Sequence, residues 1–179
     1  MIQAEISAKS IKFKSLNGYR TLVRINGEPG RLNCNISLDS MRFGGILVGS
    51  SSVGLDILPK NIIGQILIND PKGIPFYKLN AEVEKQNDKI IFATTDPQWT
   101  INSNLWTITP GDIITFEKST SDVVAAIHLQ HDQMKMDLYG RKSENLHLDI
   151  QNVLLSMFIP SELIFNKPDG IVSAKIIYR

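Results

Sequence analysis

The strongest pattern in the chain is an alternation of apolar and polar positions with a period of two, interrupted at short intervals by turn-forming residues. It is clearest from Val123 to Gly140. There Val124-Ala-Ile-His-Leu-Gln and Met134-Lys-Met-Asp-Leu-Tyr alternate on either side of His131-Asp132. Successive side chains of a strand point to opposite faces, so this period marks strands with one face turned inward. The segment predicts a β-hairpin.

Similar runs precede it. Ile2 to Phe13 alternates weakly at first and then firmly at Ile11-Lys-Phe-Lys. Thr21–Ile25 and Arg31–Leu38 flank Asn26-Gly-Glu-Pro-Gly30, and Asn-Gly, which tolerates positive φ at both positions, predicts the hairpin turn, with Pro29-Gly30 lengthening the loop. Leu32, Cys34, Ile36 and Leu38 share one face, which makes Cys34 a core residue rather than a nucleophile. The glycine-rich stretch Gly44–Gly54 predicts a loop between strands. No lysine follows its glycines and no helix opens after it, so it lacks the chemistry of a phosphate loop.

The most explicit turn is Asn69-Asp-Pro-Lys-Gly73. Pro75, without an amide hydrogen, places its strand at an edge or at its first rung. The Asn-x-Pro-x-Gly-Ile pattern returns at Asn166–Ile171, after Leu163-Ile-Phe. The copies are irregularly spaced, which indicates recurrent turn chemistry rather than a solenoid. Ala81–Asp88 is the best helical candidate, short enough to read as a loop or a small helix. Further strands are predicted at Lys89–Ala93, on both sides of Asn102-Ser-Asn104, at Ile113–Lys118 and at Asn145–Ile150. Val153–Pro160 fits a buried strand or a short helix.

About eleven or more strand-like runs, spaced roughly 8–12 residues apart, predict an all-β fold. The expected form is an antiparallel sandwich or distorted barrel built from hairpins, with at most one short helix. A length of 179 residues suggests a single β-rich domain over 1–179, able to bury a core without disulfide or metal.

Composition narrows the function. Nineteen Lys and Arg against 18 Asp and Glu leave a net charge of +1, which gives no electrostatic case for nucleic acid or an anionic membrane as partner. The opening residues hold no apolar run of signal-peptide length, and Val153–Ile159 is too short to cross a bilayer. The one cysteine cannot form an internal disulfide, which suits a cytoplasmic location.

Candidate chemistry is sparse. There is no Gly-x-Ser-x-Gly elbow and no cofactor motif, so no cofactor is expected. Carboxylate pairs could be drawn from Asp96, Asp112, Asp122, Asp132, Asp137 and Asp149, with nothing in the sequence to select two. On a strand His128 and His131 face opposite ways, whereas His147 and Asp149 share a face. If that strand paired near His128, then His128, His147 and Asp149 could form a site for zinc or a similar metal. The cluster Asp96, Gln98, Trp99, Asn102, Asn104 and Trp106 combines indoles with amides and a carboxylate. That set suits a sugar face or a protein hot spot. Basic residues (Lys12, Lys14, Lys135–Lys142, Lys175, Arg179) and acidic ones (Glu82, Glu84, Asp88, Asp112, Glu117, Asp122) would favour head-to-tail association if they formed opposite poles. The terminal Ile176-Ile-Tyr offers an edge for β-augmentation.

The leading expectation is a non-enzymatic binding or assembly module for a protein partner or for copies of itself, with Gly44–Gly54 and Asp96–Trp106 as contact surfaces. The alternatives are a carbohydrate or small-ligand module using Trp99 and Trp106, and a metal-dependent enzyme using His128, His147 and Asp149.

Overall fold

A computed structural model describes residues 1–14, 16–43, 46–157 and 170–178. The fold is all-β and antiparallel. Its strands are β1 (Ile2–Phe13), β2 (Leu16–Glu28), β3 (Arg31–Phe43), β4 (Ile46–Val48), β5 (Ser51–Ile57), β6 (Asn61–Asn69), β7 (Pro75–Gln86), β8 (Lys89–Ala93), β9 (Gln98–Ile101), β10 (Asn104–Ile108), β11 (Ile113–Glu117), β12 (Asp122–His131), β13 (Met134–Arg141), β14 (Asn145–Leu154) and β15 (Ile171–Tyr178). Among the described residues the one helical element is a 3-10 turn, Leu155–Met157. The chain groups into two compact units, Met1–Asn80 and Ala81–Arg179.

In the first unit β1, β2, β3, β5 and β6 pair in that order, each with its neighbour. The β2–β3 turn is Pro29-Gly30, closed by Glu28 opposite Arg31, and not the Asn26-Gly27 pair that the sequence suggests. Gly30 takes the positive φ of 81° that such a turn requires after proline. Asn26 and Gly27 continue the strand instead. A Cβ at Gly27 would lie 3.2 Å from Leu32 and 3.4 Å from Ile2, so this glycine serves close strand approach.

The β6–β7 turn is as the sequence predicts. The Gly73 amide donates to the Asp70 carbonyl at 3.0 Å, and the Asp70 carboxylate accepts from the amides of Lys72 and Ile74. Pro75 stands at the first position of β7. The Gly44–Gly54 stretch is mostly strand rather than loop: β4 and β5 occupy it, while Gly44 and Gly45 lie outside the described residues. Gly49 joins the two strands, and a Cβ there would strike the Asp70 carbonyl.

In the second unit β8, β11, β12, β13, β14 and β15 follow one another, and β9 and β10 form a hairpin that joins through β10 to β12. Ala81–Asp88 is not helical. Glu82–Gln86 pair with Lys89–Ala93 across a tight turn in which Asn87 has a φ of 46°. The sequence Glu-Val-Glu satisfies a strand, and Asn87-Asp88 supplies the turn. Val153 and Leu154 end β14 just before the 3-10 turn. Phe158–Pro160 and the second proline turn up to Asp169 lie outside the described residues, as does Arg179.

Every buried hydrophobic side chain among the described residues belongs to the second unit. Trp106, Met134, Val153 and Met157 form its core, with Ile101, Leu129, Met136 and Ile150 packed around them. Leu129, Met136 and Ile150 stand on one rung of β12, β13 and β14, the inward phase of the alternation that marks this hairpin in the sequence.

Candidate functional site

The first unit carries most of its apolar residues on one face. Ala4, Ile25, Cys34, Leu55 and Gly64 form one rung across five strands, and Ile6, Val23, Ile36, Val53 and Ile66 form the next. The flanking rungs are Ile2, Gly27, Leu32, Ile57 and Ile62 on one side, and Ala8, Thr21, Leu38, Ser51 and Ile68 on the other. None of these positions is charged, and none of the aliphatic side chains is buried. Ile2 and Ile6 are 64% and 63% exposed, respectively. Cys34 shares the face of Leu32, Ile36 and Leu38 as its spacing predicts, but among the described residues it is half-buried rather than enclosed in a core.

The opposite face of the same strands is mostly polar, with Leu22, Ile63 and Leu67 among its polar residues. Arg24 donates to Glu5 at 2.9 Å, and Arg31 grips both oxygens of Asp56 at 2.8 and 2.6 Å. Beyond Thr21 the apolar phase slips by one position, to Gly18 on β2 and Met41 on β3. Arg20 stands at the slip with a φ of 46°. Gly18 stays on the side of Thr21 and Leu38, because a Cβ there would press into the Leu38 side chain. A hollow of about 550 Å3 lies at the Pro29 end of the sheet, with Ile2, Gly27, Leu32 and Ile57 in its wall.

The second unit holds a polar groove. His128, Asp137, Asp149 and Lys175 stand on one rung of β12, β13, β14 and β15, with Tyr139 and His147 on the next. Asp112, buried just before β11, fixes His128: its carboxylate accepts from the His128 backbone amide and from Nδ1, the latter at 2.9 Å. A carboxylate only accepts, so Nδ1 carries the proton and Nε2 of the neutral ring presents a lone pair. His128 borders a groove of about 370 Å3 that is also lined by Thr109, Gln130, Lys135 and Asp137. An oriented imidazole of this kind can accept a proton or bind a cation. Among the described residues, however, no group of three His, Cys, Asp or Glu side chains has metal-holding geometry.

His128, His147 and Asp149 do share a face, but β13 lies between β12 and β14, so they do not meet. The His147 ring instead stacks on Tyr139 with centroids 5.0 Å apart, and the Tyr139 hydroxyl donates to Asp149 at 3.1 Å. That bond, with burial, raises the tyrosine's pKa above its ordinary value. His131 closes β12 on the opposite face, where Nδ1 donates to the Leu105 carbonyl at 2.7 Å and the ring lies against Trp106.

The aromatic and amide cluster is built chiefly as a hairpin. Trp99 pairs with Trp106 across β9 and β10, and Asn102 and Ser103 make the turn with φ values of 50° and 61°. Trp106 is wholly buried and offers no face to a ligand, whereas Trp99 is half-buried. Asn102 donates to the Ser156 carbonyl, Asn104 to the Asn102 carbonyl, and Asp96 accepts from the Gln98 amide. These side chains hold the turn. The acidic pole also loses members to internal pairing. Asp112 holds His128, Asp122 is buried against Ser143 and Arg141, and Glu117 meets Lys89 at 3.2 Å.

Sequence reasoning missed Asp112 as the partner of His128, since 16 residues separate them and only the β11–β12 register brings them together. It also missed that, among the described residues, no aliphatic side chain of this face is buried, because alternation reports which residues share a face and not what lies above them. Comparison with protein-family models, characterised proteins and solved structures finds no match.

Proposed function

We propose that this protein is a non-enzymatic assembly module that works by burying the aliphatic face of its first unit against a protein surface. The observation that carries the reading is the uncharged five-strand face, none of whose aliphatic side chains is buried. By strand spacing and rise it covers on the order of 600 Å2, at the upper end of the apolar patches found on monomers. Patches of that size mark interaction surfaces. Two edge strands support the reading: among the described residues β1 pairs only with β2, and β15 only with β14. Unpaired edges recruit further strands unless they are covered. A cytoplasmic location belongs to the same proposal, since a lone cysteine on an open face suits a reducing compartment. No helix among the described residues is long and apolar enough to cross a membrane.

Sedimentation velocity at low and high salt tests the reading. Association through aliphatic surface persists or strengthens as salt rises, whereas association through charged poles weakens. A species that remains monomeric at both salt concentrations and binds no protein partner would overturn it.

A further inference from the structure

We infer that the occupant of the aliphatic face is a second copy of this chain, with two first-unit sheets packed face to face about a two-fold axis. The inference rests on the assembly reading and names its partner. Three observations support a copy over an unlike protein.

The first is size. A plan area on the order of 600 Å2 underestimates the ridged accessible surface, and a stable interface takes about 800 Å2 from each partner. Doubling this one face therefore supplies an interface of ordinary size. The second is charge. All twenty positions of the four rungs are uncharged, while the ion pairs Glu5–Arg24 and Arg31–Asp56 stand on the opposite side. Such a face meets itself without like-charge cost and carries no charge pattern that would select a different partner. The third is relief. Ala4 stands between Ile2 and Ile6 on β1, Gly64 between Ile62 and Ile66 on β6, and Gly27 between Ile2 and Leu32 across one rung, so small and large side chains are interspersed on the face. Sheets that pack about 10 Å apart interdigitate large side chains with small ones in this manner.

Cys34 lies on the central strand within this face and reports on its cover. The experiment measures the rate of Cys34 alkylation by iodoacetamide over protein concentrations from about 1 nM to 100 µM, a range that brackets nanomolar to micromolar association. Molar mass is measured in parallel on the wild-type chain, Ile36→Asp and Ser37→Asp. The expected result is alkylation that slows at least tenfold as the dimer forms. Ile36→Asp should weaken dimerisation on the order of 100-fold and keep Cys34 reactive at every concentration. Ser37→Asp, one residue along on the polar face, should match the wild type and controls for added charge. An oligomer whose Cys34 reacts at one rate throughout, and whose mass Ile36→Asp leaves unchanged, would overturn face-to-face pairing while leaving assembly standing. A wild-type chain of 20.0 kDa at all concentrations would overturn self-pairing altogether, and assembly would then require an unlike protein. The wild-type alkylation series does not depend on either variant folding.

Discussion

Cys34 stands directly across from Leu55 on the neighbouring strand, on an aliphatic surface that the described residues leave open. Burying that surface in an assembly links stability to protein concentration by mass action. The thermal midpoint of the wild-type chain should therefore rise as concentration rises, and that of Leu55→Asp should not. Scanning calorimetry at two concentrations about tenfold apart checks this. Equal wild-type midpoints would contradict it.

Trp106 belongs to the closed core of the second unit, among Met134, Val153 and Met157. Trp106→Ala should cost about 3–5 kcal/mol, read from urea denaturation. In Trp99→Phe, Trp106 is the remaining indole. Its emission should be that of an indole shielded from water and should shift to the red on unfolding. A water-exposed spectrum in the folded protein would show the burial of Trp106 to be wrong.

Gly140 has a φ of 107°, and a Cβ there would collide with the Asn145 carbonyl oxygen across the β13–β14 turn. Gly140→Ala should destabilise by roughly 2–3 kcal/mol, combining left-handed strain with overpacking. Gly54 makes the contrast, because a Cβ there meets only Asn35 Nδ2 at 3.7 Å. Gly54→Ala should change stability by no more than roughly 1 kcal/mol. Equal effects at the two glycines would refute the geometric argument.

The buried Asp122 carboxylate organises the Arg141–Asn145 connection. It accepts from the Val123 and Ser143 amides, from the Ser143 hydroxyl at 2.7 Å and from Arg141 at 3.1 Å. Burial pushes its pKa up, but these donors and the arginine charge outweigh that push and hold it below the ordinary carboxylate value. A depressed folded-state pKa contributes stability above the unfolded value of about 3.9, and that contribution is lost as pH falls through the folded value. Asp122→Asn should lower stability at neutral pH and flatten the loss of stability below about pH 4. Urea midpoints across that range provide the check, and parallel acid limbs would contradict it.

Much of the fold is legible in the sequence because strands announce themselves locally. The Asp70-Pro71-Lys72-Gly73 turn and the first-rung position of Pro75 follow from alternation and from the φ demands of proline and glycine, and the β12–β13 turn falls at Asp132-Gln133, one residue past the expected His131-Asp132 junction. The misplacements share a cause. Asn26-Gly27 has turn chemistry, yet Gly27 serves the close approach of Leu32 and Ile2, and Pro29-Gly30 closes the hairpin instead. Ala81–Asp88 has helical composition, but its partner strand decides its state.

The site is less legible because it depends on what lies beside and above a strand. The shared face of His147 and Asp149 follows from their spacing. The strand that separates them from His128 does not, nor does the carboxylate of Asp112. For Cys34 the phase is right and the enclosure is wrong, since a period of two reads the same on an open sheet as on a covered one.

Molar mass by light scattering, on the wild-type chain beside Ile36→Asp, addresses the aliphatic face most directly. A wild-type mass at twice 20.0 kDa, falling to 20.0 kDa in the variant, is the predicted result. A wild-type mass of 20.0 kDa at every concentration, unchanged by the substitution, would contradict the self-pairing of this face.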